Sequence, residues 1–146
     1  PAMNPAELDI MARTVYGEAR GEGLHGMIAV AYVILNRAFD PGLDWCGDTI
    51  IAVCQKPSQF SCWNTTDPNA TKLRQVGLGD RAFKLAMAAC LIASAGEGED
   101  PPQGATHYHS IGRPPYLKAG DPWPPAWTAK MAHQATIGRH EFYRES

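Results

Sequence analysis

The sequence predicts a single α+β domain over residues 1–146, mostly α-helical with a small antiparallel sheet. Three observations lead there. Leu8, Met11, Ala12 and Val15 follow the i, i+3, i+4, i+7 spacing of a helix face that meets a core. The nine-residue apolar run MIAVAYVIL (27–35) is too short to span a bilayer and reads as a buried element. ATHYHS (105–110) and RHEFYR (139–144) alternate as short strands do and are expected to pair with each other. With 45% hydrophobic and 19% charged residues over 146 positions, the chain can bury a real core rather than stay disordered.

The elements follow in order. Asn4 can cap a first helix, Pro5 suits its first position, and Glu7 sits where a capping-box carboxylate reaches back. The apolar stripe of that helix continues onto Glu18, in the stretch GEARGE (17–22). Gly17, Gly21, Gly23 and Gly26 each lower helix stability by about 1 kcal/mol relative to Ala, so the helix is expected to end there. Residues 26–38 form a second helix, apolar on nearly all sides and hence central. Asp48 opens a short third helix through Cys54, and 55–69 is a loop that carries Phe60 and Trp63. A fourth helix runs from an Asp80 cap to Gly96, with a solvated turn over 96–104. Between the two strands lie a Pro- and Trp-rich segment (112–125) and a helix over roughly 126–136.

Composition excludes several function classes. A net charge of −2 with scattered Lys and Arg leaves no basic stripe for a nucleic acid. No apolar run is long enough for membrane insertion, and PAMNPAEL has no signal-peptide pattern. Pro1-Ala2 ahead of Met3 reads as a cloning remnant. Cys46, Cys54, Cys62 and Cys90 fit no CxxC zinc spacing. The first three fall within seventeen residues, close enough for one disulfide whose pairing spacing alone does not give.

Glu18 is the strongest candidate for chemistry. A carboxylate that continues a buried stripe needs a reason to be there. At a helix carboxyl end, both the dipole and burial raise its pKa. Glu22, four residues on, suits a supporting role in the turn, with a second-carboxylate role as the alternative. His107-Tyr108-His109 on a strand puts both imidazoles on one face, as in some zinc sites, but HExxH is absent and His25, His133 and His140 lack ligand spacing to the pair. The simpler reading has these histidines line a cleft by hydrogen bonds, with no metal and no cofactor. Cys54 and Cys62 lack a nucleophile turn, and there is no GxSxG. Loop aromatics beside Gln59, Ser61, Asn and His suit a carbohydrate groove, where rings stack on sugar faces and amides read hydroxyls.

Set in order, GEARGE, VAYVILNR, the QFS loop, THYH and IGRHEFYR resemble the catalytic domain of the SleB-type cell-wall hydrolases, among them spore-cortex-lytic enzymes and phage lysins. The resemblance runs from Met11 to Arg144, and the block at 12–37 carries most of its specificity. It implies a lysozyme-like fold, cleavage of the MurNAc–GlcNAc β-1,4 bond of peptidoglycan, and Glu18 as catalytic acid. Residues 112–125 depart from it by greater length and Pro content, and the cysteines around the QFS loop look specific to a subgroup.

Glycosidases generally use two carboxylates, about 5–5.5 Å or 6.5–9.5 Å apart. Besides Glu22, the candidates for a second are Asp44, Asp48 and Asp67, none in a convincing block. A lytic transglycosylase needs one, because the MurNAc C6 hydroxyl attacks from within the substrate. The expectation is therefore a monomer acting on glycan strands at the bacterial wall. Glu18 is acid then base, Gln59, Phe60 and Ser61 hold the sugar, and Tyr108 with His107 or His109 orients the carboxyl or the reacting sugar. The rival readings are a hydrolytic muramidase using Glu22 or an aspartate, and a metal-dependent amidase or peptidase using His107 and His109. Without a leader, the chain is expected to be a phage lysin made in the host cytoplasm or a domain excised from an exported protein.

Overall fold

Helix α1 (Pro5–Ala19) begins on the anticipated capping box. The Glu7 N–H donates to Asn4 Oδ1 at 2.8 Å, and the Asn4 N–H donates to Glu7 Oε1 at 3.1 Å. These facts come from a computed structural model that describes residues 3–40, 42–43, 45–57, 59–64, 67, 70–96, 103–115 and 117–145. The expected Asp44 carboxylate and most of the 96–104 turn lie outside the described residues. Helix α2 (Gly23–Phe39) starts three residues earlier than anticipated, at Gly23, and buries Met27, Val30, Ile34 and most of its length. Helix α3 (Ile50–Gln55) is capped by Thr49 rather than Asp48, because the Thr49 hydroxyl accepts the Ala52 N–H at 3.1 Å. Helix α5 (Arg81–Ala95) has the expected Asp80 cap and ends on Gly96 in the left-handed region.

Two elements differ from the sequence reading. The loop read over 55–69 contains a 3-10 turn (Ser61–Trp63), and a short helix, α4 (Ala70–Gln75), follows it. The anticipated helix over 126–136 is instead a 3-10 turn (Ala126–Lys130) followed by a strand. The strands are β1 (His107–Ser110), β2 (Met131–Ile137) and β3 (His140–Glu145). They form an antiparallel sheet in the order β1-β3-β2, so the expected pairing of 105–110 with 139–144 holds and β2 adds to the other edge. The reason β2 forms is the two-residue connection Gly138-Arg139. Gly138 takes φ +56°, a value that side chains disfavour, and folds 131–137 back onto β3 as a hairpin. A bulge between His133 and Ala135 breaks the period-2 alternation that would have betrayed the strand.

Helices α1, α2 and α5 enclose the main core, which includes Tyr16 and Phe83 in edge contact at 6.2 Å. Each such ring, fully buried, contributes about 1.5–3 kcal/mol. A smaller core joins Ala29 and Val33 of α2 to Ile137 and Phe142 of the sheet, and Tyr108 packs against both. Three polar ties hold the surrounding chain. Arg13 Nη1 donates to the carbonyls of Leu73 and Val76, each at 2.8 Å. Trp63 Nε1 donates to Thr14 Oγ1 at 2.9 Å, and Asn36 Nδ2 donates to the Ala105 carbonyl at 2.9 Å. The four cysteines are free and buried, so the disulfide that the spacing allowed is not formed. No described helix is long and apolar enough to cross a membrane.

The 3-10 turn lies hard against the end of α1. A Cβ placed on Gly17 would stand 2.6 Å from Cys62 Cβ and 2.8 Å from its Sγ. Gly17→Ala is therefore expected to destabilise the protein by about 1–3 kcal/mol through overpacking, read as a lower urea midpoint with unchanged slope.

Candidate active site

Glu18 is the penultimate residue of α1, half-buried at the floor of a groove of ≈ 680 Å³. The groove runs between the α1–α2 turn, residues 110–115 and the β2–β3 turn. The Tyr108 hydroxyl donates to Glu18 Oε1 at 2.8 Å, and the Cys62 thiol and backbone N–H also bond this carboxyl. Burial pushes the Glu18 pKa up, the bonds from Tyr108 and Cys62 pull it part of the way back, and the charge of Asp67 adds to the rise. The donors themselves stay neutral: burial raises the pKa of both Tyr108 and Cys62. An acid surrounded by neutral donors in a low dielectric can hold its proton to higher pH than a free glutamate.

Glu22 meets a different fate in the same groove. Its Oε1 accepts the Arg139 N–H at 2.8 Å and its Oε2 accepts Arg139 Nε at 2.9 Å. Burial acts to raise its pKa, but the Arg139 bonds together with the charges of His140 and Arg139 outweigh it and hold the carboxyl low. Its side chain is only 6% exposed. Glu22 thus clamps the β2–β3 turn to the start of α2, a different turn from the glycine-rich one it was expected to support. As a second carboxylate it is a poor base for water, since both oxygens are engaged.

The remaining anticipated site residues divide. Tyr108 reaches Glu18, but His107 and His109 project from the opposite face of β1 and do not join it. His107 lies between the rings of Trp45 and Trp127, each with centroids 5.4 Å away, and burial with the nearby Arg37 charge pushes its pKa down to about 4. The ring of His109 stacks on Tyr143 at 5.3 Å, and its Nε2 is 3.0 Å from the Tyr143 hydroxyl. Phe60, expected to hold sugar, is 2% exposed in the main core, with the Arg37 guanidinium 5.2 Å from its ring centre. A loop residue becomes core here because the 3-10 turn after it folds inward on Gly17. Gln59 and Ser61 stay exposed on either side of it. Among the described residues no three His, Cys, Asp or Glu side chains converge as they would on a metal ion.

Sequence reasoning missed His140 and Arg139, which line the groove. The His140 ring meets Tyr108 edge-on at 4.9 Å, and its Nδ1 is 3.7 Å from Glu22 Oε1. The signal was available in the pairing of Ser110 with His140 and Tyr108 with Phe142, which puts His140 on the Tyr108 face. Arg37 also went unremarked; its Nε donates to the Thr106 carbonyl at 2.6 Å and holds the lead into β1.

Fold and groove together are those of a small, mostly helical domain that sets two carboxylates, Glu18 and Glu22, along one groove. Residues 21–143 match the family described as Cell Wall Hydrolase, a span that begins just after Glu18. A spore cortex-lytic enzyme of Halalkalibacterium halodurans is 30% identical over 142 residues, covering 93% of this chain and 34% of the relative. Its counterpart from Oceanobacillus iheyensis is 33% identical over 141 residues, covering 93% and 41%. The chain therefore spans about a third to two fifths of the length of these curated relatives. Among solved structures, the catalytic domain of the germination-specific lytic transglycosylase SleB from Bacillus anthracis is similar with a TM-score of 0.68 and 27% identity, covering 98% of each chain. The catalytic domain of the Bacillus cereus SleB protein gives 0.67 and 26%, covering 98% of this chain and 93% of that one. The chain belongs to the cell wall hydrolase family.

Two outcomes test this geometry. Tyr108→Phe removes a bond that favours the ionised carboxyl, so the Glu18 titration followed by carboxyl-carbon NMR is expected to move to higher pH; a downward move would mean that the hydroxyl serves the neutral acid instead. Phe60→Ala is expected to cost about 3–5 kcal/mol of stability as a core truncation, measured by denaturant unfolding.

Proposed function

We infer that the protein cleaves the MurNAc–GlcNAc β-1,4 bond of peptidoglycan as a lytic transglycosylase, with Glu18 as its one acid and base. The carrying observation is the contrast between the two groove carboxylates: Glu18 is buried among neutral donors, whereas Glu22 is taken up by Arg139. Glu18 gives its proton to the glycosidic oxygen as the C1–O bond breaks. The Tyr108 and Cys62 bonds then stabilise the carboxylate left behind. That carboxylate takes the proton from the MurNAc C6 hydroxyl as its oxygen closes onto C1. The product is a 1,6-anhydro ring, no water is consumed, and Glu18 returns to its protonated form. Ser61 and Gln59, exposed around the turn that carries Cys62, are assigned to sugar binding, and Tyr108 to orienting the carboxyl. Action at the bacterial wall as a monomer completes the reading. The similarity to the SleB catalytic domain and the family membership support it.

One observation favours a second reading, a hydrolytic muramidase. Asp67 is near enough for its charge to act on Glu18, and it is the candidate for activating water. Mass spectra of fragments from purified peptidoglycan separate the two. Fragments ending in 1,6-anhydro-MurNAc, one water lighter than the reducible form, are expected, and reducing MurNAc ends would give the reaction to a water-using enzyme. Glu18→Gln is expected to slow release by about 10²–10⁴-fold, the usual contribution of a general acid. Full activity in that variant would move the chemistry elsewhere.

A further inference from the structure

Two arginines line the groove beside Glu18, and their states differ. Arg113 is occupied by its own loop. Its Nη2 donates to the carbonyls of Lys118 and Asp121 at 2.7 and 3.2 Å, and its Nη1 to that of Leu117 at 3.5 Å. Arg139 is anchored at its root instead. Its N–H and Nε hold the two oxygens of Glu22, which is 6% exposed, while the Arg139 side chain itself is 76% exposed. No hydrogen bond to Arg139 Nη1 or Nη2 comes from any described residue. The Nη2 passes over Gly21, 3.2 Å from where a Cβ would stand, so the backbone there leaves room for the guanidinium.

We propose that Arg139 is a subsite residue that binds a carboxylate on the peptide stem of the muramyl unit being cleaved. The proposal rests on the glycan-cleaving reading of the same groove. The sugar rings of the strand are neutral, and the acidic groups of peptidoglycan are on the stems attached through the lactyl ether. A guanidinium with its outer edge open matches a carboxylate with two parallel N–H donors. Anchoring of Nε by a buried partner lowers the side-chain entropy lost on binding. Glu22 also cancels the formal charge of Arg139, so recognition comes from geometry at short range rather than from long-range attraction.

The experiment compares initial rates on two forms of one peptidoglycan, freed of phosphate-bearing wall polymers beforehand. In one form the stem carboxylates are intact; in the other they have been converted to amides with a carbodiimide and ammonia. The wild-type protein is expected to show a KM about tenfold lower on the intact form, the worth of one charge-assisted bond. Arg139→Gln keeps the backbone N–H bond to Glu22 and is expected to show the same raised KM on both forms. Equal losses for Arg139→Gln on both forms, or no loss on either, overturn the proposal and leave Arg139 as a tie for the turn. A preference of the wild type that survives in Arg139→Gln also overturns it. A wild-type protein that releases no glycan fragments from either form overturns the cleavage reading itself.

Discussion

The hydrogen bond from Tyr108 to Glu18 connects residues ninety positions apart, and the rest of the site depends on it. Tyr108 packs against both the helical core and the smaller core under the sheet, so its hydroxyl is fixed by the two halves at once. The acid is fixed from the other side by the 3-10 turn that carries Cys62. A cation at the Tyr108 position would have favoured the ionised carboxylate instead. A neutral hydroxyl and a neutral thiol orient it while burial favours its protonated form. Four residues later the same sequence block makes the opposite choice, and Arg139 keeps Glu22 ionised. Two carboxylates in one groove are thus separated in pKa, with burial prevailing at Glu18 and the Arg139 bonds with the His140 and Arg139 charges prevailing at Glu22.

Close approach is the second constraint. The Cys62 bonds to Glu18 exist because Gly17 has no side chain where the turn crosses α1. Trp63 and Arg13 hold that crossing by bonds to Thr14 and to the carbonyls of Leu73 and Val76. The glycines of GEARGE, read in sequence as helix breakers, therefore serve the site more than the end of the helix. Helix α1 continues through Gly17 and Glu18 to Ala19, because tertiary packing outweighs the roughly 1 kcal/mol propensity penalty.

Much of this was legible in the sequence wherever the signal was local. The Asn4 box, the Asp80 cap, the stripe that runs into Glu18 and the alternation that marks β1 and β3 as strands are all written in short-range spacing. The misses share a cause. Residues 126–136 are rich in Ala, Lys, Met and Gln, all fair helix formers, and the pairing that makes 131–137 a strand comes from β3 and the Gly138 turn. Phe60 looked like a loop aromatic because burial of a loop residue depends on what folds over it. Arg139 and His140 needed the register of β1 on β3, a non-local fact, before either could be assigned to the groove.

The outer face of the sheet shows what the HxH pair packs against. His107, His109, His133 and Tyr143 share that face, and Trp127 lies over three of them. Trp123 meets His109 at 5.1 Å, and its Nε1 donates to the Ile111 carbonyl at 3.4 Å. The aromatic cluster is therefore the seat of residues 111–115, which form one wall of the groove. A His107 with its pKa pushed down to about 4 is neutral near pH 7 and packs between indoles without the cost of burying a charge. Each strand of the sheet thus divides its work by alternation. One face of β1 sends Tyr108 to the acid, the other sends His107 and His109 to brace the wall opposite it, and a one-residue slip in register would exchange these duties and dismantle both.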